Sequence, residues 1–176
     1  MHRVEEFLMR SRFTDQIVTL GELVFSQNKH AIFVTGAGRS GLVGKMFAMR
    51  LMHTGYMVHI VGETTAPKMT PGDVLITISS SGETSTTVSI VKKAKAVNAD
   101  VTIVVITKTP NSTLDQLATH TVLLGVEYEL EDDAEYPMGT IFELSALIFL
   151  ESMIAFIVRK YHIAVVTMRN RHANLE

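Results

Sequence analysis

Apolar positions along this chain change period several times, and each change marks an element. Between Arg3 and Phe25 the residues Val4, Phe7, Leu8, Ile17, Val18, Leu20 and Val24 recur at helical spacing, which predicts an amphipathic leading helix over about residues 3–27 with Gly21 a weak point late in it. Ala31 to Thr35 is a short apolar strand, and Gly36 to Gly41, reading GAGRSG, turns it into a second helical pattern that reaches Thr54 and closes at Gly55. Tyr56 to Val61 predicts a strand, GETTAPKMTPGD a loop with two prolines and two glycines, and Val74 to Ile78 the central strand. A helix over Thr86 to Val97, a strand over Val101 to Thr107, a short helix over Thr113 to Leu117 and a strand over Thr121 to Leu124 continue the alternation. About five strands separated by helices predict an α/β core over residues 30–125. Continuous Val and Ile runs suit parallel strands buried on both faces.

After an acidic loop from Glu127 to Glu135 comes the least polar stretch of the chain, Met138 to Val158, in a C-terminal segment covering residues 137–176. Its length raises the possibility of a membrane span. The uninterrupted apolar runs are short, and Glu143 and Glu151 inside them would be costly at a bilayer centre, so no membrane is expected. A helix apolar on nearly all sides needs a second surface, because one small sheet covers only one face of it; the expected partner is another subunit. The tail runs from Ala164 to Glu176 and ends in MRNRHANLE.

Composition narrows the function classes. A chain of 176 residues, 47% apolar and 19% charged with a net charge of −2, reads as one globular domain over 1–176 with no basic face to suggest a nucleic acid. Zero cysteines exclude a disulfide framework, a thiolate metal site and a cysteine nucleophile. The seven histidines contain no i,i+4 pair, so no metal is expected. Glu5 and Glu6 stand where a signal peptide would be basic and then apolar, which makes the expected compartment the cytosol.

The candidate chemistry lies at two strand-to-helix turns. Ile76 to Thr87 reads ITISSSGETSTT: a β-branched run breaks into serines, Gly82 permits a tight turn, and Thr84 or Ser85 stands at the next helix N-cap. Ser79, Ser80, Ser81 and Thr84 would add hydroxyls to the unpaired N–H groups of a helix start, a suitable cradle for a phosphate. The spacing alone equally admits a serine-rich turn that caps its own helix. The other turn, with Gly38, Arg39 and Ser40, fits the dinucleotide fingerprint G-x-G-x-x-G, and Glu63 lies where a ribose-binding acid would be. Against a dinucleotide, the whole chain is spent on one sheet, and a pyrophosphate site leaves the SSSGET turn unexplained. Both turns fall on the carboxyl-end rim of a parallel sheet, which together suits a small phosphorylated molecule.

GAGRSG, the GETTAP loop, ISSSGETSTT and the terminal RHANLE resemble the sugar isomerase (SIS) domain family over essentially the whole chain. Within it, GETT with a RHANLE ending is similar to the members that convert 3-hexulose 6-phosphate to fructose 6-phosphate in the ribulose monophosphate route of formaldehyde handling. Arabinose 5-phosphate isomerases carry a histidine-rich HP-x-E-A-x-H-G-D loop where this chain has GETTAPKMTPGD. The resemblance implies a three-layer αβα sandwich with a five-stranded parallel sheet of flavodoxin-like topology. It also implies a cytoplasmic homotetramer with active sites at subunit interfaces, no cofactor, and a sugar phosphate held by Ser40, Ser79, Ser81 and Thr84. SIS domains also serve as sugar-phosphate sensors in transcription regulators; a sensor keeps the serines and needs no base.

Moving a carbonyl from C3 to C2 needs a base at C2–H and a group that carries protons between the two oxygens. Glu143 is the candidate base, placed about one and a half turns into the apolar helix where desolvation strengthens a carboxylate's basicity; the same position also admits a buried glutamate satisfied by a backbone or arginine partner. Glu151, two turns on, reads as structural. His172 is the candidate shuttle, since imidazole gives and accepts protons near neutrality; without the family resemblance it reads as an ordinary solvated histidine of the tail. Arg39 would neutralise a phosphate or an enediolate, or form a surface ion pair. In 3-hexulose 6-phosphate the hydroxyl that could close a five-membered ring on C3 is O6, which is esterified, so this substrate is expected to be open-chain.

Overall fold

The computed structural model describes residues 13–26, 30–97, 101–124 and 136–175. Its strands are β1 (Ile32–Gly36), β2 (Val58–Ile60), β3 (Val74–Ile78), β4 (Thr102–Thr107) and β5 (His120–Leu123). The helices are α1 (Phe13–Ser26), α2 (Gly38–Thr54), α3 (Ser85–Val97), α4 (Thr113–Leu117), α5 (Thr140–Lys160) and α6 (Val165–Arg169). The sheet runs β2-β1-β3-β4-β5 and every pairing is parallel. That order places a reversal of winding between β1 and β3, the position at which open α/β sheets bind ligands beyond their strand ends.

Alternation along the strands sorts the core into two layers. Ile32, Val34, Ile76, Ile78, Val104 and Ile106 face α1, α2 and α5, with Phe142, Phe149 and Met153 of α5 fully buried among them. Phe33, Leu75, Ile103 and Val105 face the other way, against Val91 and Ala94 of α3 and Leu114 of α4. The three-layer αβα sandwich is therefore present, built from strands that are apolar on both faces.

The predicted elements shift at their ends. The leading helix is described from Phe13 onward; residues 3–12 and 27 of the expected span, and the expected acidic loop over residues 127–135, lie outside the described residues. Gly21 is no weak point: a Cβ there would stand 2.6 Å from the Phe156 ring, so the glycine lets α1 approach α5. The tail contains the short helix α6. Helix α5 begins at Thr140, two residues later than its apolar pattern, after Met138 and Gly139 in left-handed backbone. It is long and apolar enough to cross a membrane, but half of its most apolar window is buried against the sheet, α1 and α2.

Candidate functional site

Register brings three loops together. Gly36 pairs with Ile78 and Ile78 with Ile106, so the residues two beyond each, Gly38, Ser80 and Lys108, leave the sheet side by side. Between β1 and α2 the chain turns so tightly that a Cβ on Gly41 would lie 2.6 Å from the Gly36 carbonyl oxygen. Between β3 and α3, Gly82 has a φ of 67°, and a Cβ on it would meet Ser112 Oγ at 2.1 Å. Both turns need glycine for space as well as for dihedral freedom.

The serine hydroxyls shape their own turn before any ligand arrives. Ser79 Oγ, on a side chain only 4% exposed, accepts the Gly82 N–H at 3.3 Å and lies 3.4 Å from Thr84 Oγ1. Ser81 Oγ accepts the Glu83 N–H at 3.2 Å. From the next strand, Thr107 and Thr109 hydroxyls both donate to the Ser80 carbonyl, at 3.0 and 3.1 Å. Glu83 reaches across to accept the backbone N–H and the hydroxyl of Thr113 at 2.6 and 2.7 Å, and those bonds hold its carboxyl below its ordinary value.

Of the residues expected to bind substrate, Ser40, Ser79, Ser80, Ser81 and Thr84 line one cleft of about 400 Å³, open to solvent. Gly38 and Gly82 shape its turns instead of lining it. Lys108, at the end of β4, also lines it, with no carboxylate partner among the described residues. Sequence reasoning passed over Lys108. Its only signal was its place just after the VIT of a third parallel strand, and a register between strands is needed to bring it beside Ser80, whose carbonyl accepts the Lys108 N–H at 3.3 Å.

The cleft's far wall is the start of α5. Met138 and Gly139 line it, and Glu143 stands in the first turn of the helix, a correction to the expected depth of one and a half turns. The Glu143 side chain is 12% exposed, and Arg39 Nε donates to its Oε2. The expected burial is there, but a guanidinium compensates the charge. Glu151 pairs with Arg50 at 3.5 Å on the seam between α5 and α2, away from the cleft. Glu63 accepts from Lys45 at 2.7 Å, a bond that lowers its pKa.

His172 is not brought to the cleft of its own chain. It is exposed and stacks on His53, ring centroids 5.3 Å apart, at the end of α2 remote from the serines. Ser40 and His53 are thirteen residues apart on that helix, which at its rise per residue is about 20 Å.

The SIS domain model matches residues 25–141. A Methylomonas aminofaciens protein named 3-hexulose-6-phosphate isomerase is 47% identical over 146 residues, 82% of this chain and 80% of the relative. One of the same name from Methanocaldococcus jannaschii is 36% identical over 172 residues, 98% of this chain and 91% of the relative. A crystal structure from Methanococcus jannaschii, described as inferring 3-hexulose-6-phosphate isomerase function, superposes with a TM-score of 0.83 at 35% identity, covering 99% of this chain and 93% of that one. With a family model spanning more than half its length and relatives this similar over nearly all of it, the chain belongs to the SIS domain family.

Proposed function

We propose that this protein is an isomerase that interconverts 3-hexulose 6-phosphate and fructose 6-phosphate through an enediol, without a cofactor, in the cytoplasm. The observation that carries the reading is the Ser/Thr cleft at the β1/β3 switch point, closed on its far side by Met138 and Gly139 with Glu143 in the helical turn that follows. Relatives named for this reaction over most of their length supply the substrate. Ser40, Ser79, Ser80, Ser81 and Thr84, with the first N–H groups of α3, hold the phosphate, and Lys108 matches its charge. Glu143 takes the proton from C2, the C2–C3 double bond forms, and the proton returns at C3. The O2 proton moves to O3 by way of an imidazole, which leaves the carbonyl at C2. Arg39 steadies the Glu143 carboxylate and the enediolate.

The imidazole is that of His172 from a second copy of the chain. Its distance from its own serines supports this, as does an apolar surface needing cover: Leu42, Met46 and Met49 follow one face of α2 and are 61%, 46% and 46% exposed, and Leu144 and Ile148 on α5 are 39% and 41% exposed. The family resemblance makes the assembly a homotetramer and the pathway the ribulose monophosphate route. A coupled assay offering 3-hexulose 6-phosphate beside arabinose 5-phosphate and sedoheptulose 7-phosphate tests the reading. Turnover of the first well above the others is expected; turnover of arabinose 5-phosphate alone would overturn it.

A further inference from the structure

The tail that carries His172 is fastened to the C-terminal end of α2 by contacts that the reaction scheme does not use. Helix α2 ends at Gly55, whose N–H returns to Leu51 and Met52, so the His53 carbonyl is left without a backbone donor. Arg171 Nη1 donates to that carbonyl at 3.3 Å. The same guanidinium lies so close over Gly55 that a Cβ there would be 3.0 Å from Nη2 and 3.2 Å from Cζ. A fixed cation at a helix C-terminus also matches the negative end of the helix dipole.

One residue along, the exposed His172 ring lies on the His53 ring, with an interplanar angle of 21°. His53 is only 4% exposed, and burial, then His172 and Arg50, lower its affinity for a proton. An uncharged platform of this kind tolerates the imidazolium that His172 becomes during turnover, whereas a second cation would expel it. His172 Nδ1 lies 3.0 Å from the Ala173 carbonyl, an oxygen that can only accept, so the neutral ring carries its proton on Nδ1 and keeps Nε2 for exchange.

We infer that His53 and Arg171 are positioning residues: the end of α2 clamps the tail so that His172 is delivered to a second copy's cleft in one orientation and one tautomer. The inference rests on the reading of His172 as the proton shuttle. It requires that loosening the clamp slow the chemistry while leaving the sugar phosphate, held by serines far away, bound as before.

Steady-state kinetics on 3-hexulose 6-phosphate with His53→Ala, His53→Phe, Arg171→Gln and His172→Ala test this. His53→Ala and Arg171→Gln should lower kcat roughly ten- to a hundredfold, the cost of a catalytic group misplaced by about an ångström, with KM unchanged. His53→Phe, which keeps the flat apolar platform, should recover most of the loss. Arg171 is at the surface, so its variant decides the matter even where His53→Ala fails to fold. Arg171→Gln at the wild-type rate beside an inactive His172→Ala would overturn the clamp alone. His172→Ala at the wild-type rate would overturn the shuttle and the clamp with it.

Discussion

Ser81 Oγ already accepts one backbone N–H, which fixes its lone pairs and leaves its proton free to be given to an anion. A hydrogen bond to a charged group is worth about 1.5–3 kcal/mol, so Ser81→Ala should raise KM about tenfold or more with kcat little changed. Titration with fructose 6-phosphate checks this, and wild-type affinity would move the phosphate elsewhere. Glu143→Gln keeps the shape of the side chain and cannot accept a proton. Deuterium at C3 of fructose 6-phosphate, the position the same base deprotonates in the reverse direction, should wash out into solvent with the wild type and persist with the mutant. Undiminished washout would make another group the base. At this scale the serines that line the cleft were legible in the sequence, because residue type and spacing at a strand-to-helix turn mark them. Lys108 and the pairing of Arg39 with Glu143, residues 104 apart, depend on how strands and helices lie against each other, and no local pattern encodes that.

Helices and strands were legible where a period changed sharply at a glycine, a serine cluster or a proline. Strand β3 and helix α4 fall on the predicted residues. The start of α5 moved because Met138 is apolar enough to continue the helical pattern yet sits at a φ of 54°, a backbone feature that hydrophobicity does not reveal. Helix α2 carries a consequence of its own for stability. His53 is buried and its folded-state pKa is below 6.5, so between that lower value and about 6.5 the unfolded chain binds the extra proton and stability rises with pH. Above about 6.5 the contribution is fully present, and it is lost as pH falls through the folded-state value. Urea titrations should give a midpoint that drops on acidification below about pH 6.5, and His53→Phe should flatten that drop. An unchanged slope in the variant would assign the acid sensitivity to another group.

On the scale of the whole molecule, the serines and Glu143 lie at one end of α2 and His172 at the other, so the proposed reaction needs groups from both ends. A single chain folded this way cannot bring them together. A charge placed on the apolar face should therefore cost assembly and turnover at once, and Ile148→Asp is expected to shift the molar mass measured by light scattering towards the monomer with loss of activity. An active monomer would contradict that. The most direct measurement pairs two inactive proteins, Glu143→Gln and His172→Ala, dissociated, mixed in equal amounts and reassociated. If each site takes its glutamate from one chain and its histidine from another, about a quarter of the sites in the mixture hold both groups, and about a quarter of the wild-type rate should return. Hybrids verified by mass spectrometry that bind sugar phosphate and remain inactive would contradict a site completed by a second copy.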